Sequence, residues 1–266
     1  MLQLEPQPTD YDLNFQFLGF PVRVHPLFWL VALILGANGV WTPQGEVLPH
    51  AGAQLLSWTS VMFASILAHE LGHALSMRYF RQSSRIVLYV MGGLTIPDSS
   101  HSSFSRPATH TRLSHILISL AGPGAGFSLA TLTVLLIYTI GGEFRITPER
   151  FPFFYQPQFP AETNLSLRFV LHDLLFMNIF WGLLNLLPIF PLDGGQVSRQ
   201  LFEHADPWNG LVRSLWLSIM TAGGIAIASW VYLGSRFMPL LFISLAASNY
   251  MMLQQMTGGR PGGGRW

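Results

Sequence analysis

The chain has 266 residues, of which only 10% are charged, whereas an ordinary soluble domain carries roughly 25% charged residues. This deficit excludes a standard soluble enzyme and also a disordered chain. The formal net charge of +1 provides no basic field that would recruit nucleic acid, so we expect no nucleic-acid partner. The sequence contains no Cys, which excludes disulfides, thiolate metal sites and cysteine nucleophiles.

Long apolar stretches alternate with short clusters of charge along the chain. A membrane-spanning helix needs about 20 mostly apolar residues, and several stretches meet that requirement. The predicted spans are residues 26–41, 54–78, 113–138, 168–188, 211–232 and 236–256. The first is preceded by acidic residues and is not followed by an A-x-A site, so we interpret it as a retained span. The sequence therefore predicts an all-α polytopic membrane protein with about six transmembrane helices.

The loops between the predicted spans are too short to hold a separate domain of ordinary size. We therefore predict a single membrane domain over residues 1–256. Residues 257–266 are rich in Gly, which is typical of a flexible tail. The loop between the second and third spans is rich in Arg, so the positive-inside rule predicts that both termini are cytoplasmic.

The second predicted span carries the sequence HELGH at residues 69–73. On a helix, residues four apart share a face, so His69 and His73 can ligate one metal ion, and two neutral imidazoles suit zinc. Glu70 lies about 100° away around the helix, close enough to reach a water on the metal. Ionisable residues at membrane depth are costly and usually functional. The alternative is three polar residues at the membrane surface, on a helix that ends early.

Three further features follow along the chain. The segment 86–96 is rich in β-branched residues and contains a glycine turn, which predicts a small β-hairpin. In the third span, Gly122 and Gly126 form a G-x-x-x-G pair, for which close helix packing is favoured over a direct role in a site. In the fourth span, Asn178 is interpreted as a hydrogen-bonding link between helices.

The fourth predicted span ends in NLLPIFPLDGG at residues 185–195. Pro188 has no backbone donor and breaks the helix. We then expect Asp193 in irregular backbone, which at membrane depth must be buried in protein or line a wet cavity. Gly194 and Gly195 permit close approach and unusual dihedrals. Asp193 is a candidate third ligand, since catalytic zinc sites usually have three protein ligands; the alternative is a helix cap or turn residue at the surface.

HELGH in one transmembrane helix and NLLPIFPLDGG at the end of another together resemble the site-2 protease family of intramembrane zinc metalloproteases. The resemblance covers about residues 17–256. Residues 81–97 are similar to the family's membrane-associated β-hairpin, residues 19–29 to the entry of the first span in compact bacterial members, and residues 121–123 to the start of its A-G-P-x-x-N element. Position 126 is Gly where many members have Asn. We expect neither the PDZ domain nor the CBS domain of larger members.

The resemblance implies a zinc site and a general base. It implies that His69, His73 and Asp193 bind one zinc ion per chain and that Glu70 takes the proton from the attacking water. It also makes Asn185 a candidate donor to the substrate carbonyl or the developing oxyanion. The alternatives for Asn185 are hydrogen bonding between helices and capping of the carbonyls freed by the helix break.

The resemblance further implies hydrolysis of peptide bonds within or near transmembrane segments of membrane-anchored proteins, as in regulated intramembrane proteolysis. The expected partners are a membrane-anchored substrate, the lipid bilayer and a separate regulatory membrane protein, and the expected location is the bacterial inner membrane. A strand edge of the hairpin can pair with an unwound substrate; the alternative is an interfacial hairpin without a substrate role. The candidate substrate-binding residues are Val87, Leu88, Tyr89, Val90, Gly92 and Gly93.

A zinc transporter or metal-binding carrier is the main alternative function. Transporters often show internal repeats and discontinuous helices in both halves, whereas this sequence has one broken helix and no repeat that we detect. A transporter also has no need for Glu70 between the two histidines. A further alternative is an inactive scaffold in which the site serves only folding. The complete set of four site residues argues against it.

Overall fold

A computed structural model describes residues 5–41, 45–98, 111–146, 155–233 and 237–258. The helices in this part of the chain are α1 (Pro26–Ala37), α2 (Ala51–Tyr79), α3 (Arg112–Thr139), α4 (Leu165–Asn185), α5 (Asp193–Ala205), α6 (Gly210–Leu233) and α7 (Phe237–Gly258), with a 3-10 turn at Asn38–Val40. The strands are β1 (Leu13–Phe17), β2 (Phe20–Val24), β3 (Ser84–Tyr89), β4 (Gly92–Pro97), β5 (Glu143–Ile146) and β6 (Tyr155–Gln158). Beyond Gly258, the predicted tail lies outside the described residues.

Four helices within the described ranges are long and apolar enough to cross a membrane: α2, α3, α4 and Gly210–Tyr232 of α6. The helix α1 is apolar but has 12 residues, and α7, with 22 residues, is not among the four. A mostly helical membrane fold with a small sheet is therefore confirmed, and the count of six spans stays a prediction. Helix α4 ends at Asn185, short of the residue 188 predicted for the fourth span, because Pro188 has no backbone donor and its ring clashes with the preceding helical turn.

The chain falls into two compact units. The first, here called the sheet unit, comprises residues 5–108 and 121–182. The second, here called the C-terminal unit, comprises the described residues within 109–120 and 183–266. The HELGH motif belongs to the sheet unit, and the turn that precedes α5 belongs to the C-terminal unit.

The sheet unit contains a four-stranded sheet with the strand order β1-β2-β3-β4. The predicted hairpin forms its β3–β4 half, in which Tyr89 pairs with Gly92 across a two-residue turn. Strand β2 runs parallel to β3, with Val22 opposite Ile86, and antiparallel β1 completes the sheet. The sequence analysis assigned residues 19–29 to the entry of a span and missed the β1–β2 hairpin, in which Phe17 pairs with Phe20. It also missed the parallel pairing of β2 with β3, because pairing between distant segments leaves no local pattern. It also missed the separate β5–β6 sheet.

Strands β2 and β3 form the best-buried part of the sheet. Val22, Val24, Ile86 and Leu88 each expose 2% or less of their surface. They belong to one apolar cluster that also contains residues of α1 and α2. Burying these side chains stabilises the unit by van der Waals packing and, where they leave water, in proportion to the apolar area buried. The packing also fixes the hairpin against α2, beside residues 69–73.

The C-terminal unit joins the turn at residues 186–192 to α5, α6 and α7. Asp193 is the first residue of α5. The expectation that it lies in irregular backbone is therefore wrong, although the irregular turn ends at the residue before it. Helix α5 was not predicted, because its alternating polar and apolar residues form no long apolar stretch. Ile189 anchors the turn in an apolar cluster whose other buried members come from α6 and α7: Ala222, Ala226, Phe242 and Leu245.

Candidate metal centre

Helix α2 brings the two histidines and the glutamate of the HELGH motif together. The Nε2 atoms of His69 and His73 are 3.1 Å apart, and their ring centroids are 4.8 Å apart in an edge-to-face arrangement. One ligand atom from each of His69, Glu70 and His73 lies within 4.8 Å of the others, and all three residues are buried. Helix α2 continues to Tyr79, so the alternative of a helix that ends early is wrong.

The space beside the two imidazoles fits a zinc ion. Tetrahedral zinc binds imidazole nitrogens at about 2.0–2.1 Å, which separates two such nitrogens by about 3.3 Å, close to the observed 3.1 Å. Helix α3 presents Gly122 to this pair: a Cβ there would stand 2.7 Å from His69 Nε2 and closer still to His73 Nε2. The sequence analysis favoured plain helix packing for Gly122, yet this position borders both candidate ligands. Its missing side chain leaves the room that an ion needs.

Gly72, inside the motif, permits the close approach of α3. A Cβ on Gly72 would lie 2.8 Å from the carbonyl carbon of Ala121, so the two helices meet backbone to backbone, as small residues allow in membranes. Gly126 has ordinary room, since a Cβ there would lie 3.5 Å from the main-chain oxygen of Asn178. Asn178 donates to Ser65 Oγ at 2.9 Å, which agrees with its expected role as a link between helices.

The β3–β4 hairpin holds the side chain of Glu70. Thr95 Oγ1 lies 2.7 Å from Glu70 Oε2 and 3.1 Å from the Glu70 main-chain oxygen, so this hydroxyl ties the carboxylate to β4. Gly93 faces the same carboxylate: a Cβ there would lie 2.5 Å from its carbon and would cover Oε1. One carboxylate oxygen is thus anchored by Thr95, and the missing side chain of Gly93 leaves room beside the other. Thr95 was not predicted, although the period of two along a strand puts it on the same face as Gly93.

Strand β4 is an outer strand of the sheet, and β3 is an interior one. Asp98 N–H donates to Ser83 O at 2.8 Å. In an antiparallel hairpin, residue pairs that lie opposite each other alternate between hydrogen-bonded and non-hydrogen-bonded, and the Asp98–Ser83 pair sets this alternation for β3 and β4. The backbone polar groups of Gly93 and Thr95 therefore point away from β3, on the side where the described residues add no further strand. Strand β3 pairs on both sides, so the edge that the sequence analysis expected of the hairpin belongs to β4.

The predicted substrate-binding residues have different surroundings. Val87 and Leu88 are fully buried in β3, whereas Val90 is 41% exposed in the turn. Interior side chains of this kind support the hairpin and do not present a surface. Gly93 remains as the predicted residue that lies on the outer edge.

Tyr89 and Gly92 connect the hairpin to its neighbours. Burial raises the pKa of the Tyr89 phenol above its ordinary value, and the negative charge of Glu70 adds to the effect, so the phenol stays protonated. Gly92 has a φ of +105°, which favours glycine. A Cβ there would also lie 2.6 Å from the Trp181 ring of α4. The hairpin turn thus packs against Trp181 of α4, while Thr95 hydrogen-bonds to Glu70 of α2.

Asn185 and Asp193 lie in the C-terminal unit, at the two ends of the turn at residues 186–192. Asn185 is the last residue of α4 and is buried. Asp193 opens α5, where the helix dipole favours a carboxylate. Gly194, also in the first turn of α5, has no room for a Cβ against the carbonyl group of Leu186. It therefore serves close approach, and the unusual dihedrals expected from the sequence are absent from this described helical turn.

Comparison with known proteins identifies the family. Residues 58–227, more than half of the chain, match the family described as Peptidase family M50. The chain is 25% identical over 199 residues to Zinc metalloprotease MJ0392 of Methanocaldococcus jannaschii, covering 73% of this chain and 46% of that protein. It is 28% identical over 195 residues to Stage IV sporulation protein FB of Bacillus subtilis, covering 70% of this chain and 49% of that protein. The chain thus spans about half the length of these relatives.

The fold is similar to that of a solved structure, Site-2 Protease from Methanocaldococcus jannaschii. The TM-score is 0.50 at 17% sequence identity, with 96% of this chain and 99% of that chain covered. At this identity the likeness concerns the fold alone. With the family match it confirms the resemblance first noted from the two motifs. The chain belongs to Peptidase family M50.

Proposed function

We propose that this chain is a zinc-dependent endopeptidase that hydrolyses peptide bonds within or near the transmembrane segments of membrane-anchored proteins. The observation that carries the proposal is the buried His69–Glu70–His73 set in a membrane-spanning helix, with its carboxylate held by Thr95. Family membership and the name of the first relative support the same activity. A zinc transporter needs no carboxylate fixed beside two imidazoles.

The proposed ligands of one zinc ion per chain are His69, His73 and Asp193. When bound, zinc polarises the scissile carbonyl and lowers the pKa of a water molecule to about 7. Two imidazoles and one carboxylate are a known ligand set of zinc hydrolases. The burial of His69 and His73 keeps bulk water away from the reacting groups, which strengthens every charge interaction there.

Glu70 is the proposed general base and acid. Thr95 occupies Oε2, so proton transfer uses Oε1, beside which Gly93 has no side chain. At Oε1 the carboxylate takes a proton from the attacking water and later gives it to the nitrogen of the leaving amine. A positioned acid–base group typically contributes about 10²–10⁴ in rate.

Asn185 is the proposed donor to the oxygen of the scissile carbonyl as negative charge develops on it. One such donor is worth about 10²–10³ in rate. Its position as the last residue of α4 also suits capping of the carbonyls that the helix break frees. Asn185→Ala distinguishes the two roles. If Asn185 is an oxyanion donor, its loss lowers kcat and leaves the stability unchanged. If it is a cap, its loss lowers the melting temperature and leaves the kcat of the folded enzyme unchanged.

The substrate binds as an added strand at the outer edge of β4. A helical peptide bond must unwind before hydrolysis, and each freed backbone group costs several kcal/mol in lipid unless it is paired. The backbone groups of Gly93 and Thr95 supply partners, and a strand added there runs about 4.8 Å from β4, next to Glu70. The remaining predicted residues support this edge from the rest of the hairpin: Val87, Leu88, Tyr89, Val90 and Gly92.

Cysteine crosslinking tests this edge, because the chain has no Cys of its own. In a Glu70→Gln background, Leu94→Cys on β4 is combined with single Cys residues scanned along the substrate. An added strand gives crosslinks at every second substrate position, whereas a spacing of three or four indicates a bound helix and contradicts the proposal. Asn14→Cys, on the opposite outer strand β1, is the matched control and should give no crosslinks.

The proposed setting is the inner membrane of a bacterium, with six spans and both termini in the cytoplasm. Helices α1 and α7 supply the two spans beyond the four apolar ones. The proposed role there is regulated intramembrane proteolysis, with a separate regulatory membrane protein as a partner. Topology reporters inserted at Glu46 and after Trp266 should report opposite sides; reports from the same side would contradict this arrangement.

Co-expression with single-span membrane proteins tests the activity itself. The parent chain should produce a shortened substrate, and Glu70→Gln at equal expression should not. Zinc content of the purified chains should be close to one per chain for the parent and close to zero for a His69→Ala, Asp193→Ala double variant. Identical substrate bands for the parent and Glu70→Gln with every substrate tried would contradict the proposed function.

A further inference from the structure

The turn at residues 186–192 joins α4 to α5 and directly precedes Asp193. Backbone groups at helix ends have no partners within their own helix, and in a membrane protein they need partners other than water. The turn supplies some of these itself, through N–H to oxygen bonds from Leu187 to Leu184 (3.1 Å), Ile189 to Leu187 (2.7 Å) and Leu192 to Ile189 (2.8 Å).

Both backbone polar groups of Phe190 are instead taken by side chains of other helices. Its N–H donates to Ser218 Oγ of α6 at 3.0 Å, and its carbonyl accepts from Asn249 Nδ2 of α7 at 2.6 Å. Ser218 and Asn249 are each only 1% exposed. Each is also anchored to its own helix, because Ser218 donates to Ser214 O at 2.9 Å and Asn249 donates to Leu245 O at 2.8 Å.

The turn held in this way touches the first turn of α5. A Cβ on Gly195 would collide with the carbonyl group of Ile189 and the nitrogen of Phe190, and Gly194 is equally confined by the start of the turn. Backbone meets backbone here, with no flexible side chain between the two segments to absorb a displacement. A shift at Phe190 therefore moves the start of α5, where Asp193 lies.

From these contacts we propose that Ser218 and Asn249 are positioning residues for Asp193. They hold both polar groups of Phe190, which fixes the turn and so sets where the Asp193 carboxylate stands. The inference rests on the proposed function, in which Asp193 is a zinc ligand. Partners that orient a metal ligand from outside the coordination shell affect metal affinity without touching the ion.

The test measures zinc affinity and catalysis in the purified full chain. Ser218→Ala removes the acceptor for Phe190 N–H, Ser218→Thr keeps a hydroxyl, and Asn249→Leu removes the donor at similar volume. Ser229→Ala is the matched control. Ser229 lies on the same helix, is 2% exposed and donates to Ala226 O of α6 at 3.0 Å.

We expect Ser218→Ala and Asn249→Leu to weaken zinc binding about 10–100-fold in competition with a chelator, and to lower kcat with KM unchanged. The absorption spectrum of the cobalt-substituted protein should change as well, because it reports ligand geometry. Ser218→Thr and Ser229→Ala should match the parent in all three measurements. A merely structural role would lower the melting temperature and leave the zinc affinity and cobalt spectrum of the folded protein unchanged.

Parental zinc affinity in Ser218→Ala overturns the inference, even where Asn249→Leu fails to fold. Asp193→Ala separates this outcome from a failure of the proposed function. Parental zinc affinity in Asp193→Ala would remove Asp193 from the ligand set, and the inference with it. Loss of zinc in Asp193→Ala together with full retention in Ser218→Ala removes the positioning role alone.

Discussion

The HELGH stretch of α2 and the turn before α5 each carry proposed zinc ligands, but they are built in opposite ways. In α2, the continuous helix itself brings His69 and His73 together, since residues four apart share a face. At residues 186–192 the helix is interrupted, and the backbone before Asp193 is held by side chains of α6 and α7. The first arrangement depends on local hydrogen bonds, and the second depends on distant partners.

Glycines reflect the same difference. Gly122 faces the two imidazole rings, whose atoms can move by side-chain rotation. Gly194 faces backbone atoms of the preceding turn, which can move only if the chain path changes. We therefore expect a methyl group to be tolerated better beside the helix site than at the turn. The predictions below test this contrast, beginning with the chemistry that both regions serve.

The largest expected effect comes from Glu70→Gln. The amide keeps the shape of the side chain but cannot take a proton, so kcat should fall about 10²–10⁴-fold, while zinc content stays that of the parent. Single-turnover cleavage and metal analysis of the same preparation measure both. A variant with parental kcat would show that Glu70 is not the base.

The second largest effect is expected at the turn, from Gly194→Ala. A methyl there meets the backbone carbonyls of Leu186 and Leu187, and overpacking of this kind costs about 1–3 kcal/mol of unfolding free energy or more. Gly223→Ala on α6 is the control, because a Cβ there meets no described atom within 4 Å. Thermal unfolding in detergent should separate the two variants; equal melting temperatures would contradict the tight contact.

Gly122→Ala should have a smaller effect, and on zinc binding more than on folding. The methyl displaces imidazole nitrogens, so zinc affinity should fall about tenfold, with a small change in the melting temperature of the metal-free protein. Gly124→Ala, two residues along α3 with no described atom near its Cβ, should bind zinc as the parent does. Equal zinc affinity for both variants would argue that Gly122 does not border the ion.

The smallest effect is expected from Thr95→Val, which loosens the Glu70 carboxylate without removing it. Loss of this hydrogen bond is worth about 1 kcal/mol, or about fivefold in kcat. Thr95→Ser keeps the hydroxyl and should retain the parental rate. A kcat for Thr95→Val equal to that of Thr95→Ser would mean that the carboxylate is held by other contacts.

The sequence analysis was most successful where function follows a local period. The spacing of His69 and His73 needed only helix geometry, and the hairpin at residues 86–96 needed only β-branched residues around a glycine turn. It failed where the partner is distant: Thr95 gains its role from a contact with Glu70, which lies 25 residues earlier. The parallel pairing of β2 with β3 was missed for the same reason.

The sequence by itself determined the membrane class, the HELGH grouping on α2 and a helix break near Pro188, because charge content, helical period and proline act through neighbouring residues. Only the tertiary structure decided that β3 is interior and β4 carries the outer edge, that Gly122 borders both imidazoles, and that Phe190 is held from α6 and α7. Each of these is a contact between segments far apart in the chain. Such contacts depend on how whole elements pack, which no short stretch of sequence specifies.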